Sequence, residues 1–518
     1  MGSTASRAPT TSLERSNSRL ACLSLAPPLK NSNPHPIVQT QKNSGTLSRT
    51  EKIGYGLGDT ASNLYFQFFN IFLFYYYTDV FGLSAGAVGT MYLLANFWDA
   101  VNDPMMGAIA DRVETKKGKY RPFLLWFAIP YGAFGYAIFA NPDLAELGKL
   151  IYAYLTFIGF KMIYTAINVP YSAMMGVITP NAVERMALST YRFVGAFSGG
   201  FVVSLLVRPL VKMFGGDDEA LGFQSTMALF GVVSVIMFLI TYLTTKERVK
   251  PQPKKHVKLS DDIRFLMRNR PWVIMVIAAV CTLSNVAVRG AVGVHFFKYY
   301  VDDGFLPLFT LGNPDSWFFL EFDRFTVFLS SGTLMFIAGV TLTGLVGRAM
   351  GKRNALILFT LLNAATVIGF FFIPAHAYWT MFAVNLLGSL LAGPTPALVW
   401  ALYTDVADYG EWKFGRRATG LVMSAAMFAQ KLGLTIGGAA SGWMLAGFGY
   451  QANEEQSPGA LMGICVMYSI IPGALALLNG VVLFFLALDE KTIKQMQAEL
   501  AEARALAEES EEAGPTSP

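Results

Sequence analysis

The chain has 518 residues, of which 53% are hydrophobic and only 14% charged, with a net charge of +5 and a mean hydropathy of +0.42. Soluble domains carry roughly 25% charged residues, so this composition excludes a soluble globular protein, while the 41 Phe and 22 Tyr suit lipid-facing surfaces and interfacial belts. The basic residues lie in short loops, which excludes nucleic acid as a partner; the three cysteines (Cys22, Cys281, Cys465) lack metal-ligand spacing. Four histidines, with no nucleophile constellation, leave a membrane enzyme nothing to work with.

Residues 1–50 are rich in Ser, Thr, Asn and Pro, hold six basic residues and lack the apolar stretch of a signal peptide. They read as a disordered tail, although Met1-Gly2-Ser3-Thr4-Ala5-Ser6 fits the loose myristoylation pattern. Apolar runs then predict an all-α integral membrane protein of twelve spans, near 53–78, 85–109, 121–140, 149–178, 188–212, 223–245, 271–300, 323–347, 353–374, 377–404, 418–447 and 460–487. The even-numbered connections hold about 21 Lys and Arg, whereas the opposite ones carry acids such as Asp217, Asp302 and Glu454. The positive-inside rule therefore puts both termini in the cytoplasm of a cell membrane, the inner one in a bacterium.

The first span carries Asn63, Gln67 and Asn70 on one face, with Asp59 nearer its cytoplasmic end. The second contains Asp99 and Asp103, spaced i and i+4, so both carboxylates converge on one point. Charge at mid-membrane is costly and is kept for a pathway, a relay or a partner, so the pair is a cation-site expectation. In the fourth span Lys161, Thr165, Asn168 and Ser172 form a stripe; with the first span's amides and with Asn285 and Arg289 of the seventh they predict the wall of a substrate cavity. Tyr164, Tyr171, Trp400 and Tyr403 are candidates to stack on sugar rings.

The long basic segment 246–270 divides the spans into bundles at 51–245 and 271–489, followed by an acidic cytoplasmic tail over 490–518 whose Lys491–Glu512 stretch has helical spacing. An internal echo supports the division: Asp111-Arg112 and Gly118-Lys119 follow the second span, and Arg348 and Gly351-Lys352-Arg353 follow the eighth. Repeated halves of this kind mark secondary transporters. The external segment Asp302–Asp323, with Trp317, is long for such a connection. Asp405, Asp408 and Glu411 at the end of the tenth span face Arg416 and Arg417, as a charged inner gate would.

Several motifs carry a specific resemblance: Gly54-Tyr55-Gly56-Leu57-Gly58-Asp59, Tyr75-Tyr76-Tyr77-Thr78-Asp79-Val80, Trp98-Asp99-Ala100-Val101-Asn102-Asp103-Pro104, Gly118-Lys119-Tyr120-Arg121-Pro122, and Asp405 through Asp408-Tyr409-Gly410-Glu411. Over about Glu51 to Asp489 the chain resembles the glycoside–pentoside–hexuronide:cation symporters of the major facilitator superfamily, whose best-known member is the bacterial melibiose permease. The resemblance implies twelve helices in two pseudo-symmetric bundles. It also implies that Asp99, Asp103 and Thr165 hold a coupling cation, Na⁺ or H⁺, with Lys431 near the cation and sugar sites and Arg192 matching a fifth-helix arginine. No other cofactor is implied, the surroundings are membrane lipid, and one chain is expected to act as a monomer.

Two departures bear on the substrate. Family sugar-site carboxylates fall here on Asn63 and Asn168, while Lys161, Arg192, Arg289 and Lys431 remain basic. The balance favours an anionic sugar, a uronate or oligouronide, held by Arg or Lys. The alternatives are an uncoupled facilitator or a lysolipid-type carrier of the same ancestry.

Overall fold

In the computed structural model of the chain, residues 46–249, 259–313, 318–415 and 418–512 are described. Helix follows helix because hydrocarbon offers no partner to a backbone N–H or C=O, and a helix satisfies both internally. The first half comprises α1 (Arg49–Ile71), α2 (Ala85–Arg112), α3 (Arg121–Phe139), α4 (Glu146–Ile178), α5 (Ala182–Gly215) and α6 (Glu219–Thr244). The second comprises α7 (Arg270–His295), α8 (Arg324–Thr341), α9 (Lys352–Gly369), α10 (Tyr378–Ala392, resumed as Thr395–Phe414), α11 (Thr419–Gly447) and α12 (Pro458–Tyr468, resumed as Ile470–Phe484). The break in α10 falls at Gly393-Pro394, where proline has no N–H to continue the ladder. A last helix, α13 (Glu490–Glu512), follows.

Among the described residues, ten helices are long and apolar enough to cross a membrane. Of α1–α12, the two outside that set are α1 and α2, which carry Glu51, Asp59, Asp99 and Asp103. Their polarity is what a cavity-lining or ion-binding helix requires. The first helix of each half ends in a π-turn, Tyr76–Val80 after α1 and Phe296–Tyr300 after α7.

One segment departs from the all-helical expectation. Within 302–323, β1 (Pro307–Gly312) pairs antiparallel with β2 (Phe319–Asp323), and the rings of Phe309 and Phe322 stack at 4.7 Å. Asp323 ends the hairpin and caps α8, accepting the Thr326 N–H at 2.8 Å. Trp317 lies outside the described residues, as do the myristoylation motif and residues 250–258 of the 246–270 segment.

The echoed loops prove to be matched clasps. Gly118 has φ +117°, and a Cβ there would meet the Glu247 carboxylate at 2.7 Å. Glu247 accepts the N–H groups of Lys119, Tyr120 and Arg121, each at 2.8 Å, which neutralises orphan donors where α3 begins. Arg121 in turn donates to the Tyr242 carbonyl at 2.7 Å near the end of α6. In the second half Gly351, with φ +81°, faces Glu490, and Arg353 donates to the Leu483 and Phe484 carbonyls closing α12.

The halves meet closely where α2 crosses α11: a Cβ on Gly442 would lie 2.5 Å from the Gly89 Cα. Small residues permit this approach, the usual device of helix packing in lipid. Further along, Phe197 of α5 meets Phe336 of α8, ring centroids 6.0 Å apart, and Ser204 bonds Thr333 at 3.1 Å.

The clasp makes a direct prediction. Glu247→Ala strands three N–H groups that shared a charged acceptor, so it should cost about 1–3 kcal/mol and lower the thermal midpoint of the detergent-solubilised protein; an unchanged midpoint would mean that water replaces Glu247 at no cost.

Candidate functional site

Asp99 and Asp103 project from α2 one turn apart, as their spacing requires. Thr165 of α4 lies between them, its hydroxyl 2.9 Å from Asp99 Oδ1 and 3.1 Å from Asp103 Oδ1. Lys431 of α11 reaches across from the other half, donating to Asp99 Oδ2 at 3.1 Å and to Asp103 Oδ2. Lys161 stands 3.9 Å from Asp99 Oδ2. Two carboxylates thus face two ammonium groups, and the cluster is neutral in a setting where net charge is expensive. The Asp99 side chain is buried, while Asp103 and Lys431 stay 29% and 37% exposed, so the cluster is open to exchange from the Asp103 side.

Beside it, between the halves, lies a cavity of about 680 Å³. Asn63, Gln67 and Asn70 of α1 line one side; Asn285 and Arg289 of α7, Trp400 of α10 and Gln430 of α11 line the other. The Arg289 guanidinium is held between two rings, 4.9 Å from the Phe370 centroid and 4.7 Å from that of Tyr468. Among the described residues no carboxylate forms an ion pair with it.

The α4 stripe does not line this cavity. Thr165 joins the carboxylate cluster, and Lys161 lines a separate pocket of about 60 Å³ with Asn70, Tyr92 and Asn96. Asn168 accepts from the Ser62 hydroxyl at 2.8 Å and donates to the Tyr164 carbonyl at 3.0 Å, which ties α4 to α1. Tyr171 is fully buried, exchanging hydroxyl-to-carbonyl bonds with Tyr55 at 2.5 and 3.1 Å. Arg192 is engaged with Asp59, Nε to Oδ2 at 2.5 Å and Nη2 to Oδ1 at 3.3 Å, and lies over the Tyr171 ring. The cause is common to all three: α1 packs over this face of α4 and α5, so these polar groups are spent on neighbouring helices. Tyr403 is likewise buried, its hydroxyl on the Met275 carbonyl.

At the opposite end of α10, Asp405 pairs with Lys352 of its own half, at 2.7 and 2.9 Å. Glu411 pairs with Arg504 of α13 at 2.6 Å. These bonds do not cross between halves. Asp408 lies on the same helix; Arg416 and Arg417 lie outside the described residues.

Two groups were not singled out from sequence. Asp79, noted only within a motif, is fully buried and receives several donors from the second half; Arg208 of α5 pairs with Asp323 at 2.6 Å. A signal existed for the first. Thr78-Asp79 and Lys298 occupy corresponding aromatic-rich ends of the first helix of each half, with opposite charge.

Two six-helix halves around a central cavity whose mainly apolar wall carries several amides, joined by a charged cluster between them, define a multi-pass transporter of the major facilitator type. Comparison with known proteins agrees. Residues 54–312 and 319–490 match the family described as MFS/sugar transport protein. The chain is 35% identical over 472 residues to the inner membrane symporter YicJ of Escherichia coli K12, covering 89% of this chain and 96% of that one. It is 34% identical over 471 residues to the isoprimeverose transporter of Lactiplantibacillus pentosus, covering 89% and 94%. Among solved structures, a bacterial homologue of the human lysosomal transporter Spinster, in an inward-facing and unoccupied conformation, superposes with a TM-score of 0.57 at 14% identity, over 85% of this chain and 94% of that one. The chain belongs to the MFS/sugar transport family, in its glycoside–pentoside–hexuronide:cation symporter branch.

The Asp59–Arg192 pair invites a double-mutant cycle. Asp59→Asn and Arg192→Gln should each destabilise by about 3–5 kcal/mol through a stranded buried charge, and the double variant should recover much of that loss in detergent melting. Strict additivity would show that Arg192 works elsewhere.

Proposed function

We propose that the protein moves a sugar across a bacterial inner membrane together with a monovalent cation, Na⁺ or H⁺, by alternating access of the cavity. One observation carries this reading: Lys431 of the second half bridges Asp99 and Asp103 of the first, with Thr165 closing the group. The ammonium holds one oxygen of each carboxylate, and the other two carboxylate oxygens meet at the Thr165 hydroxyl beside it; an oxygen-only group of this kind suits a hard cation in place of Lys431. A proton taken up by one carboxylate would weaken the same bridge. In either case the cation and Lys431 compete for the pair, and because Lys431 belongs to the other half, cation binding changes how the halves are held together. This competition supplies the coupling, since a ligand shifts a conformational equilibrium only through differential affinity.

The amide-rich cavity wall supports a sugar, because amides both donate to and accept from hydroxyls. The name of the isoprimeverose transporter, 34% identical, points the same way. With Arg192 engaged by Asp59 and both lysines by the α2 carboxylates, the surplus positive charge of the region resides on Arg289. Its position in the cavity supports an anionic sugar, with the carboxylate of a uronate on the guanidinium. With the basic loops placed in the cytoplasm, the cross-half contacts Ser204–Thr333, Arg208–Asp323 and Asp79–Lys298 fall toward the outer side, which supports reading this as the inward-open form.

Uptake by proteoliposomes tests the reading. Wild type should accumulate its sugar only under a Na⁺ or H⁺ gradient, and Asp103→Asn should abolish accumulation; equilibration without accumulation, unchanged in the variant, would establish an uncoupled facilitator. Arg289→Gln should depress uronate uptake roughly 10–100-fold, the value of a charge-assisted hydrogen bond, while changing neutral glycosides only a few-fold. Equal loss on both would remove the anionic substrate, and transport of lysolipid in place of sugars would favour the lipid carrier.

A further inference from the structure

Beyond the cavity, the molecule carries a second concentration of buried polar groups that the carboxylate cluster does not use. Asp79, in the π-turn that ends α1, has a fully buried carboxylate. Its Oδ1 receives Lys298 Nζ at 2.9 Å and the Tyr299 hydroxyl, both from the π-turn that ends α7. Its Oδ2 receives the Tyr450 hydroxyl at 2.5 Å and lies 3.2 Å from Nε2 of His295, whose ring also contacts Thr78 at 3.0 Å. The Asp79 backbone carbonyl accepts Asn453 Nδ2 at 2.6 Å, from the loop after α11. One residue of the first half is therefore gripped by two segments of the second, the end of α7 and the loop after α11.

The grip extends sideways. Lys298 also donates to the Tyr75 hydroxyl at 3.2 Å, and that hydroxyl donates to Glu219 at 2.8 Å, at the start of α6. Glu219 stands 3.9 Å from Arg208 Nη1, and Arg208 Nε bonds Asp323 Oδ2 at 2.6 Å while its guanidinium lies 3.7 Å from the Phe305 ring centroid. The result is an unbroken polar belt, Asp323–Arg208–Glu219–Tyr75–Lys298–Asp79–Tyr450, that crosses between the halves at both ends. It lies on the side of the cavity away from the basic loops.

We propose that this belt is the extracellular gate of the transporter, with Asp79 as its hub: the cavity opens outward only when the Asp79 carboxylate leaves Lys298, Tyr299, Tyr450 and His295. The proposal rests on the orientation given above. A buried carboxylate released from four partners needs new ones, and water entering from outside supplies them, so opening and wetting are one event. π-turns fit this role, since they interrupt the α-helical ladder and concentrate at functional sites. Asp79 and Lys298 are positioning residues, since neither lines the cavity.

Cysteine labelling tests the gate independently of coupling. Val286→Cys puts a thiol on an exposed, cavity-lining position of α7, and a membrane-impermeant maleimide is applied to right-side-out and inside-out vesicles, with the parent protein as blank. Adding Asp79→Asn or Lys298→Gln should raise labelling from outside about tenfold, as expected for a shift of some 1.4 kcal/mol in the two-state balance. Tyr450→Phe, which removes a single hydroxyl and keeps the ring, should raise it by a smaller factor. Labelling from outside that stays at the wild-type level in all three variants, while inside-out vesicles still label, would overturn the gate. A rise confined to the inside-out vesicles would overturn the orientation, a result distinguishable from any failure of Asp103→Asn to affect accumulation.

Discussion

Everything in this molecule depends on the cost of leaving a charge unpaired in a low-dielectric slab. A soluble protein can let an aspartate face water; at mid-membrane it must be given a partner or a hydrated path. Asp59 has Arg192, Asp99 and Asp103 have Lys431 and Lys161, Arg208 has Asp323, and Asp79 has Lys298. The pairs differ in one respect that decides their roles. Asp59–Arg192 stays within one half and can persist through any rocking motion, so it serves as scaffold. Lys161 likewise stays with Asp99 inside the first half, whereas the bonds of Lys431, Arg208–Asp323 and Asp79–Lys298 join the two halves and must be broken and replaced for the halves to move. Cross-half pairing converts an electrostatic necessity into a set of conformational constraints.

The same principle links the cavity to the charged cluster. Lys431 is both the counter-ion of the α2 carboxylates and a bond between the halves, so whatever takes its place changes both charge balance and geometry. Arg289 is the exception. Rings rather than carboxylates surround it, which preserves its charge beside the cavity, and its Nη2 donates to the Tyr468 hydroxyl at 3.5 Å.

Much of this was legible in the chain, and the part that was not has a physical explanation. The convergence of Asp99 and Asp103 follows from helical period alone, as does the polar face Asn63, Gln67 and Asn70, which the structure places on the cavity wall. The proximity of Thr165 and Lys431 to those aspartates is a relation between helices 66 and 332 residues distant, which no local pattern encodes; only resemblance pointed to it. Periodicity also misdirected the reading of α4. Asn168, Tyr171 and the α5 residue Arg192 do share a polar region, but period shows that a face is polar and does not show which neighbour covers it. Asp79 escaped notice because a carboxylate at the end of a span reads as interfacial. Its burial comes from His295, Tyr299 and Tyr450, all supplied by the distant half.

The clasps have a mechanical consequence. Glu247 fixes the chain leaving α6 to the start of α3, and Glu490 sits at the matching turn of the second half, where α13 begins. Further along α13, Glu499 accepts the Trp412 indole N–H at 2.6 Å, and Arg504 holds Glu411 at 2.6 Å. The terminal helix is thereby splinted along the second half and travels with it, while Glu247 travels with the first. A spin label or fluorophore on α13 and another beside Glu247 would act as two pointers on opposite levers, and the distance between them would record each stroke of the transport cycle without touching the residues that carry it out.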